Sequence, residues 1–176
     1  MYSTGLNTNQ IMRQVIYALA LGISASYIFF GWGIIIQILL GVVSALVIEA
    51  AFMAIRGRPV LESISDGSAV LTAVLLAISI PSIAPWWIIV VGVAFAIIFG
   101  KQLYGGLGSN PFNPAMLGYA FLLISYPLQM TTWPVDFSAF SQAINIIFNA
   151  LSFDGLSGAT RLDEVKTGLS LGNNLA

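Results

Sequence analysis

Residues Ile34 to Ile55 read IIIQILLGVVSALVIEAAFMAI, an apolar run interrupted only by Gln37, Ser44 and Glu49. A run of this length can cross the hydrocarbon of a bilayer, which takes about 20 residues as a helix. Before it lies a second apolar stretch, Gln14 to Phe30, joined through Gly31-Trp32-Gly33, so the two read as a tight helical hairpin. Tyr27, Phe29, Phe30 and Trp32 gather at the turn, as in an interfacial aromatic belt. After it, Arg56-Gly57-Arg58-Pro59 supplies two charges, a flexible glycine and a proline that cannot continue the helical ladder.

Further along, a polar connection carrying Glu62 and Asp66 leads to apolar residues Ser68 to Ile83. Pro81-Ser82-Ile83-Ala84-Pro85 breaks that stretch, and Trp86 to Phe99 forms the next. A fifth runs from Pro114 to Leu128, with Asn113 placed to cap its first turn and Pro114 at the first helical position, where a missing N–H costs nothing. The third and fourth stretches are short for full crossings, which leaves tilt, interfacial extension or a partly buried broken helix open.

Composition agrees with a lipid environment. Of 176 residues, 58% are hydrophobic and 7% charged, against about 25% charged in soluble domains. The sequence contains no cysteine and no histidine, so disulfides, thiolate or imidazole chemistry and iron–sulfur ligation by these residues are excluded. No basic patch offers itself to nucleic acid. Met1 to Asn9 are polar and uncharged rather than a basic leader, so a cleaved signal peptide fits poorly. The expectation is an all-α polytopic membrane protein: a membrane domain of about five transmembrane helices over residues 1–130, then a polar extracytoplasmic C-terminal segment over 131–176.

Alternating five crossings puts Arg13, Arg56, Arg58 and Lys101 on one side, while the turns at Gly31–Gly33 and Pro81–Pro85 carry no charge. The positive-inside rule places that basic side, and the N-terminus, in the cytoplasm. The residues after Met130 then emerge on the other face. Small residues recur every four positions at Ala18, Gly22 and Ser26, at Gly41 and Ala45, and at Gly92, Ala96 and Gly100. Such stripes let helices approach closely in lipid, although glycine and alanine are common in membrane helices anyway.

Three places carry candidate chemistry. Glu49 lies within the second run, where a carboxylate is costly and serves a structural pair, an ion path or cofactor environment, or a subunit contact. Gly105 to Pro114 combines Gly105, Gly106 and Gly108 with Asn110 and Asn113, whose amides can replace lost backbone hydrogen bonds beside a ligand or within a rigid linker. In the tail, residues 137–153 have the character of an amphipathic surface helix. Beyond it, Ser157 and Thr160 read on their own as loop hydroxyls or helix caps, with Asp163 completing a capping-box pattern after Thr160. No histidine is present to activate either hydroxyl.

Four blocks change the weight of that tail: Phe29-Phe30-Gly31-Trp32-Gly33, Lys101 to Gly108, Asn110-Pro111-Phe112-Asn113-Pro114-Ala115-Met116, and Asp154-Gly155-Leu156-Ser157-Gly158-Ala159-Thr160. Together they resemble the NqrB/RnfD family of membrane proteins, found in the Rnf/Rsx ion-translocating electron-transport complex and in the sodium-pumping NADH:quinone reductase. The resemblance implies a flavin-carrying translocase subunit in the bacterial inner membrane. Its complex would couple ferredoxin- or NADH-linked electron transfer to ion movement. It implies that Thr160 carries covalent FMN through a phosphoester, installed by a separate flavin transferase, with Ser157 and Ala159 matching the Ser-x-Ala-Thr signature. Asp154, Arg161 and Asp163 are then candidates to orient the segment or respond to the phosphate. The implied partners are the other Rnf/Rsx subunits, the flavin transferase and membrane lipid, and the Thr160 segment would be periplasmic. No side chain is implied as a catalyst and none as a metal ligand; Glu49, Asn110 and Asn113 remain ion-path or structural candidates. Family members continue into further membrane helices, so the chain resembles the N-terminal part, and the fragment alone is expected to be inactive. The competing expectation is a transporter or channel-like module without redox function.

Overall fold

Trp32–Ile55 forms the longest helix, α2, and it is apolar on every side. Its outward residues Leu39, Val43 and Val47 are each 61% exposed, an arrangement suited to lipid rather than water. The computed structural model describes residues 8–106, 108–134, 139–149 and 166. Around α2 stand α1 (Thr8–Phe30), α3 (Val60–Ser65), α4 (Ser68–Ser79), α5 (Trp86–Gly100), a 3-10 turn (Gln102–Tyr104), α6 (Pro114–Ser125), α7 (Pro127–Thr131) and α8 (Phe140–Asn149). Helices are the only regular elements of any length among the described residues.

Three helical stretches are long and apolar enough to cross a membrane: Gln10–Phe30, Trp32–Ile55 and Trp86–Tyr104. The expected third and fifth spans are shorter than the sequence pattern indicates, 12 residues each in α4 and α6. At 1.5 Å per residue each rises about 18 Å. α4 stops at Ser79 because prolines follow at Pro81 and Pro85, and α6 stops at Ser125 before Pro127. The first span is longer than expected, because the helix continues back through Thr8 to Arg13, where polar residues outnumber the apolar Ile11 and Met12.

Connections segregate to two ends of the bundle. At one end the α1–α2 turn faces the α4–α5 turn: a β-carbon on Gly33 would lie 2.6 Å from the Ser82 carbonyl oxygen, and the buried Gln37 amide donates to the Ala84 carbonyl at 2.5 Å. Trp87 meets Tyr126 edge-on, which brings the end of α6 to the same place. α8 packs here too, with Ala143 and Ile147 against Ile36 and Leu40 of α2 and Phe140 against Trp32. The expected amphipathic helix thus lays its apolar face on α2. At the opposite end lie the close of α2, α3, the starts of α4 and α6, and the close of α5.

The core is built from Ala45, Ala69, Ala73, Leu76, Ile88, Ile89, Val93 and Leu122. Two of the three small-residue stripes are used. Gly41 and Ala45 face the interior of α2, and α5 and α6 touch so closely that a β-carbon on Gly118 would sit 2.8 Å from the Gly92 carbonyl oxygen and 2.9 Å from the Ala96 β-carbon. The α1 stripe is not used in the same way, since nothing lies within 4 Å of a β-carbon placed on Gly22.

This contrast gives a direct test. Gly118→Val should lower stability by about 1–3 kcal/mol, because backbone rather than a flexible side-chain tip resists the added atoms. Gly22→Val should change it by less than about 0.5 kcal/mol. Thermal unfolding in detergent compares them, and equal effects would mean that the α5–α6 approach is looser than described.

Candidate functional site

Six residues before the end of α2, Glu49 is completely buried, about 9 Å inward along the helix axis. Lys101, the first residue after α5, is only 2% exposed, and its ammonium donates to Glu49 Oε1 at 2.5 Å. The same carboxylate oxygen accepts from the Ser63 hydroxyl and from Gln102 Nε2 at 3.1 Å. Lys101 also donates to Ser68 Oγ at 2.5 Å, and Ser68 Oγ in turn donates to Asp66 Oδ1 at 2.6 Å. Asp66 Oδ2 lies 3.7 Å from the ammonium and is partly open to the outside.

Local sequence explains why these groups converge. α5 has 15 residues and spans about 22 Å. Its close delivers Lys101 to Glu49. Pro59 forces the chain to restart as α3, which turns Ser63 toward Glu49. Asp66 caps the backbone of Ser68 at 2.7 Å and so fixes the start of α4. Gly67 takes a left-handed conformation at φ 75° between them. Burial of an ion pair is costly unless further hydrogen bonds support it, and here two serines and a glutamine supply some of them, to Glu49 Oε1 and to the ammonium.

Past the 3-10 turn at Gln102–Tyr104, the described backbone up to Asn113 is irregular. Gly105, Gly106 and Gly108 all have positive φ, at 100°, 107° and 89°. Arg56 reaches back to the Gln102 carbonyl at 2.9 Å. Asn113 caps α6 by accepting from the Ala115 N–H at 2.9 Å, as the sequence predicts. Asn110 accepts from the Gly108 N–H at 3.3 Å and donates to the Phe112 carbonyl at 2.6 Å, replacing lost backbone bonds. A β-carbon on Gly100 would sit 2.9 Å from Pro114 Cα, so the two ends of the segment are pinned together.

Two cavities flank Lys101. One of ≈190 Å³ is lined by Met12, Ser68, Thr72, Asn110, Asn113 and Pro114 among others; one of ≈310 Å³ is bounded by Arg58, Ser63, Asp66, Gln102, Gly105 and Gly106. The structure therefore brings Glu49 together with Lys101, Gln102, Ser63, Ser68 and Asp66. Asn110 and Asn113 lie on the other side of Lys101. Thr160, Ser157, Ala159 and Asp154 lie outside the described residues.

A family model described as the NQR2, RnfD, RnfE family matches residues 2–175. The chain belongs to the NQR2, RnfD, RnfE family. Its relatives include proteins from Shewanella piezotolerans and Erwinia tasmaniensis, each named as the D component of an ion-translocating oxidoreductase complex. The first is 49% identical over 183 residues, covering 95% of this chain and 52% of its own length. The second is 48% identical over 186 residues, covering 96% and 53%. One of the same name from Escherichia coli O7:K1 is 47% identical over 186 residues, covering 96% and 53%. This NQR2, RnfD, RnfE family chain thus spans about half the length of the curated relatives it matches.

Within this family member, sequence reasoning singled out Glu49 but placed Lys101 among the cytoplasmic-side charges. The structure adds that Lys101, at the close of α5, is a buried partner of Glu49. Glu49→Gln should therefore destabilise the protein toward the low end of the about 3–5 kcal/mol that follows loss of one partner of a buried pair, since Asp66 can still take part of the ammonium's charge. Arg58→Ala, at an exposed position, should stay within about 0.5 kcal/mol. Thermal unfolding of both variants checks the difference, and a silent Glu49→Gln would remove the pair from the stability account.

Proposed function

We propose that the chain is the N-terminal part of a flavin-carrying membrane subunit of an ion-translocating oxidoreductase complex. The observation that carries this reading is identity of 47–50% over 95–96% of the chain to proteins named as the D component of such a complex. The Ser157-Gly158-Ala159-Thr160 sequence supports the flavin. In this reading FMN is attached to Thr160 through its phosphate by a flavin transferase, and when bound it supplies electron transfer that can accept two electrons and release them singly. Ser157, Ala159 and Asp154 belong to the attachment segment. The protein's own part is to tether and orient. The electron donor is ferredoxin or NADH linked, and the partners are the other subunits of the complex.

Five crossings of a bacterial inner membrane place the N-terminus in the cytoplasm and the 131–176 segment in the periplasm. Support comes from the alternation of α1, α2, α4, α5 and α6 between two ends, with Met12, Arg56 and Lys101 sharing one end. α4 and α6 would then lie where the bilayer is locally thinned. Glu49 is the ion-path candidate, and Asn110 and Asn113, on the other side of Lys101, shape the irregular segment there. A transporter-like module without redox function is the second reading. Buried Glu49 beside broken helices favours it, and ion flux in the absence of any electron donor would select it.

Production of the complete subunit with the flavin transferase, followed by peptide mass analysis, tests the flavin assignment. The peptide containing Thr160 should carry the mass of FMN, and Thr160→Ala should abolish the adduct. An unmodified Thr160 peptide alongside an active transferase would contradict the proposal.

A further inference from the structure

Every hydrogen bond to Glu49 falls on Oε1. Its other oxygen, Oε2, is buried without a hydrogen-bond partner, as is Oε1 of the neighbouring Gln102. Both residues are almost fully buried, at 0% and 1% exposure. Two bare oxygens, one of them on the ion pair's own carboxylate, therefore lie side by side with no donor.

The charges do not cancel. Glu49 and Asp66 contribute two negative charges around the single ammonium of Lys101, which lies 2.5 Å from the first and 3.7 Å from the second. Arg56 and Arg58 stand at the rim, both exposed, where solvent weakens their reach. One further positive charge would balance the cluster. Among the described residues no three His, Cys, Asp or Glu groups converge as a metal site would need, which disfavours a multivalent ion. Carboxylate, amide and hydroxyl oxygens are the donors of a hard cation.

We propose that the Lys101 ammonium is a displaceable counter-cation: a small monovalent cation takes the Glu49 carboxylate, with Gln102 Oε1 as a second oxygen, while the ammonium passes to Asp66. This rests on the reading of Glu49 as an ion-path carboxylate. The second seat is close, since a shift of about 1 Å brings the ammonium to ordinary charge-assisted distance from Asp66. Ser68 guides the move, because it already accepts from Lys101 and donates to Asp66. The ammonium is never left buried without a counter-charge, so the exchange avoids the large penalty of a lone buried ion. The ≈310 Å³ cavity reaches Ser63, Asp66, Lys101 and Gln102 together and gives the entering ion its approach. Lys101 sets how tightly that ion is held: its return to Glu49 expels the bound cation.

The test uses the complete subunit in its assembled complex, purified in detergent at constant ionic strength, with sodium chloride replaced stepwise by choline chloride. Thermal unfolding of the subunit reports sodium-specific stabilisation. Lys101→Met should lower the half-saturating sodium concentration at least tenfold relative to the native protein, since the tethered competitor is gone. Asp66→Asn, which removes the second seat, should raise it several-fold. The Glu49→Gln/Lys101→Met double variant should respond to sodium no more than to choline. Unchanged half-saturation in Lys101→Met would overturn the proposal; if that variant does not assemble, unchanged half-saturation in Asp66→Asn does so. Mass analysis of the Thr160 peptide in the same preparations separates the readings. Missing FMN counts against the flavin assignment alone, and missing sodium dependence against the exchange alone.

Discussion

Glu49 and Lys101 place opposite charges in contact inside a bundle whose interior is otherwise mostly aliphatic and small residues. Neither group can be buried alone, because an unpaired ion in such surroundings loses its hydration with nothing in return. The pair is tolerable only with its hydrogen bonds in place. Ser63 must come from α3, Ser68 from the start of α4, and Gln102 from the turn after α5. One electrostatic requirement thus fixes the relative positions of four chain segments at this end of the molecule, and with them the cavity that opens between them.

Helix length makes this possible. α2 runs for 24 residues while α4, α5 and α6 run for 12, 15 and 12, and α5 closes where α4 and α6 begin, beside the last turns of α2. Irregular backbone inside a membrane is tolerated where protein covers it or where it lines a water-filled cavity. The Lys101–Asn113 segment meets that condition through positive-φ glycines, the Asn110 and Asn113 side chains, and the contact between Gly100 and Pro114. At the opposite end, Gln37 and the glycine at position 33 hold the α4–α5 turn with no formal charge at all.

Much of this was legible in the sequence, for reasons that particular residues make clear. The positions of α2, α5 and α6 followed from apolar length and from breakers such as Pro85 and the Asn113-Pro114 start. The Asn113 cap followed because a cap is a local interaction. Glu49 stood out because a carboxylate in such a run is rare. Its partner did not, because pairing Glu49 with Lys101 links residues 52 positions apart and depends on where α5 stops in depth. The ends of α4 and α6 were overestimated because apolar residues continue past the prolines that stop the helices. The unused α1 stripe at Gly22 shows that small residues at helical spacing permit close packing without requiring it.

The central claim is that Glu49 and Lys101 act as one unit, and a double-mutant cycle on unfolding free energy measures that most directly. Glu49→Gln, Lys101→Met and the double variant should give a coupling of about 2–3 kcal/mol or more, with the double variant more stable than Lys101→Met alone. Additive losses, with the double variant as unstable as the sum of the singles, would contradict the account.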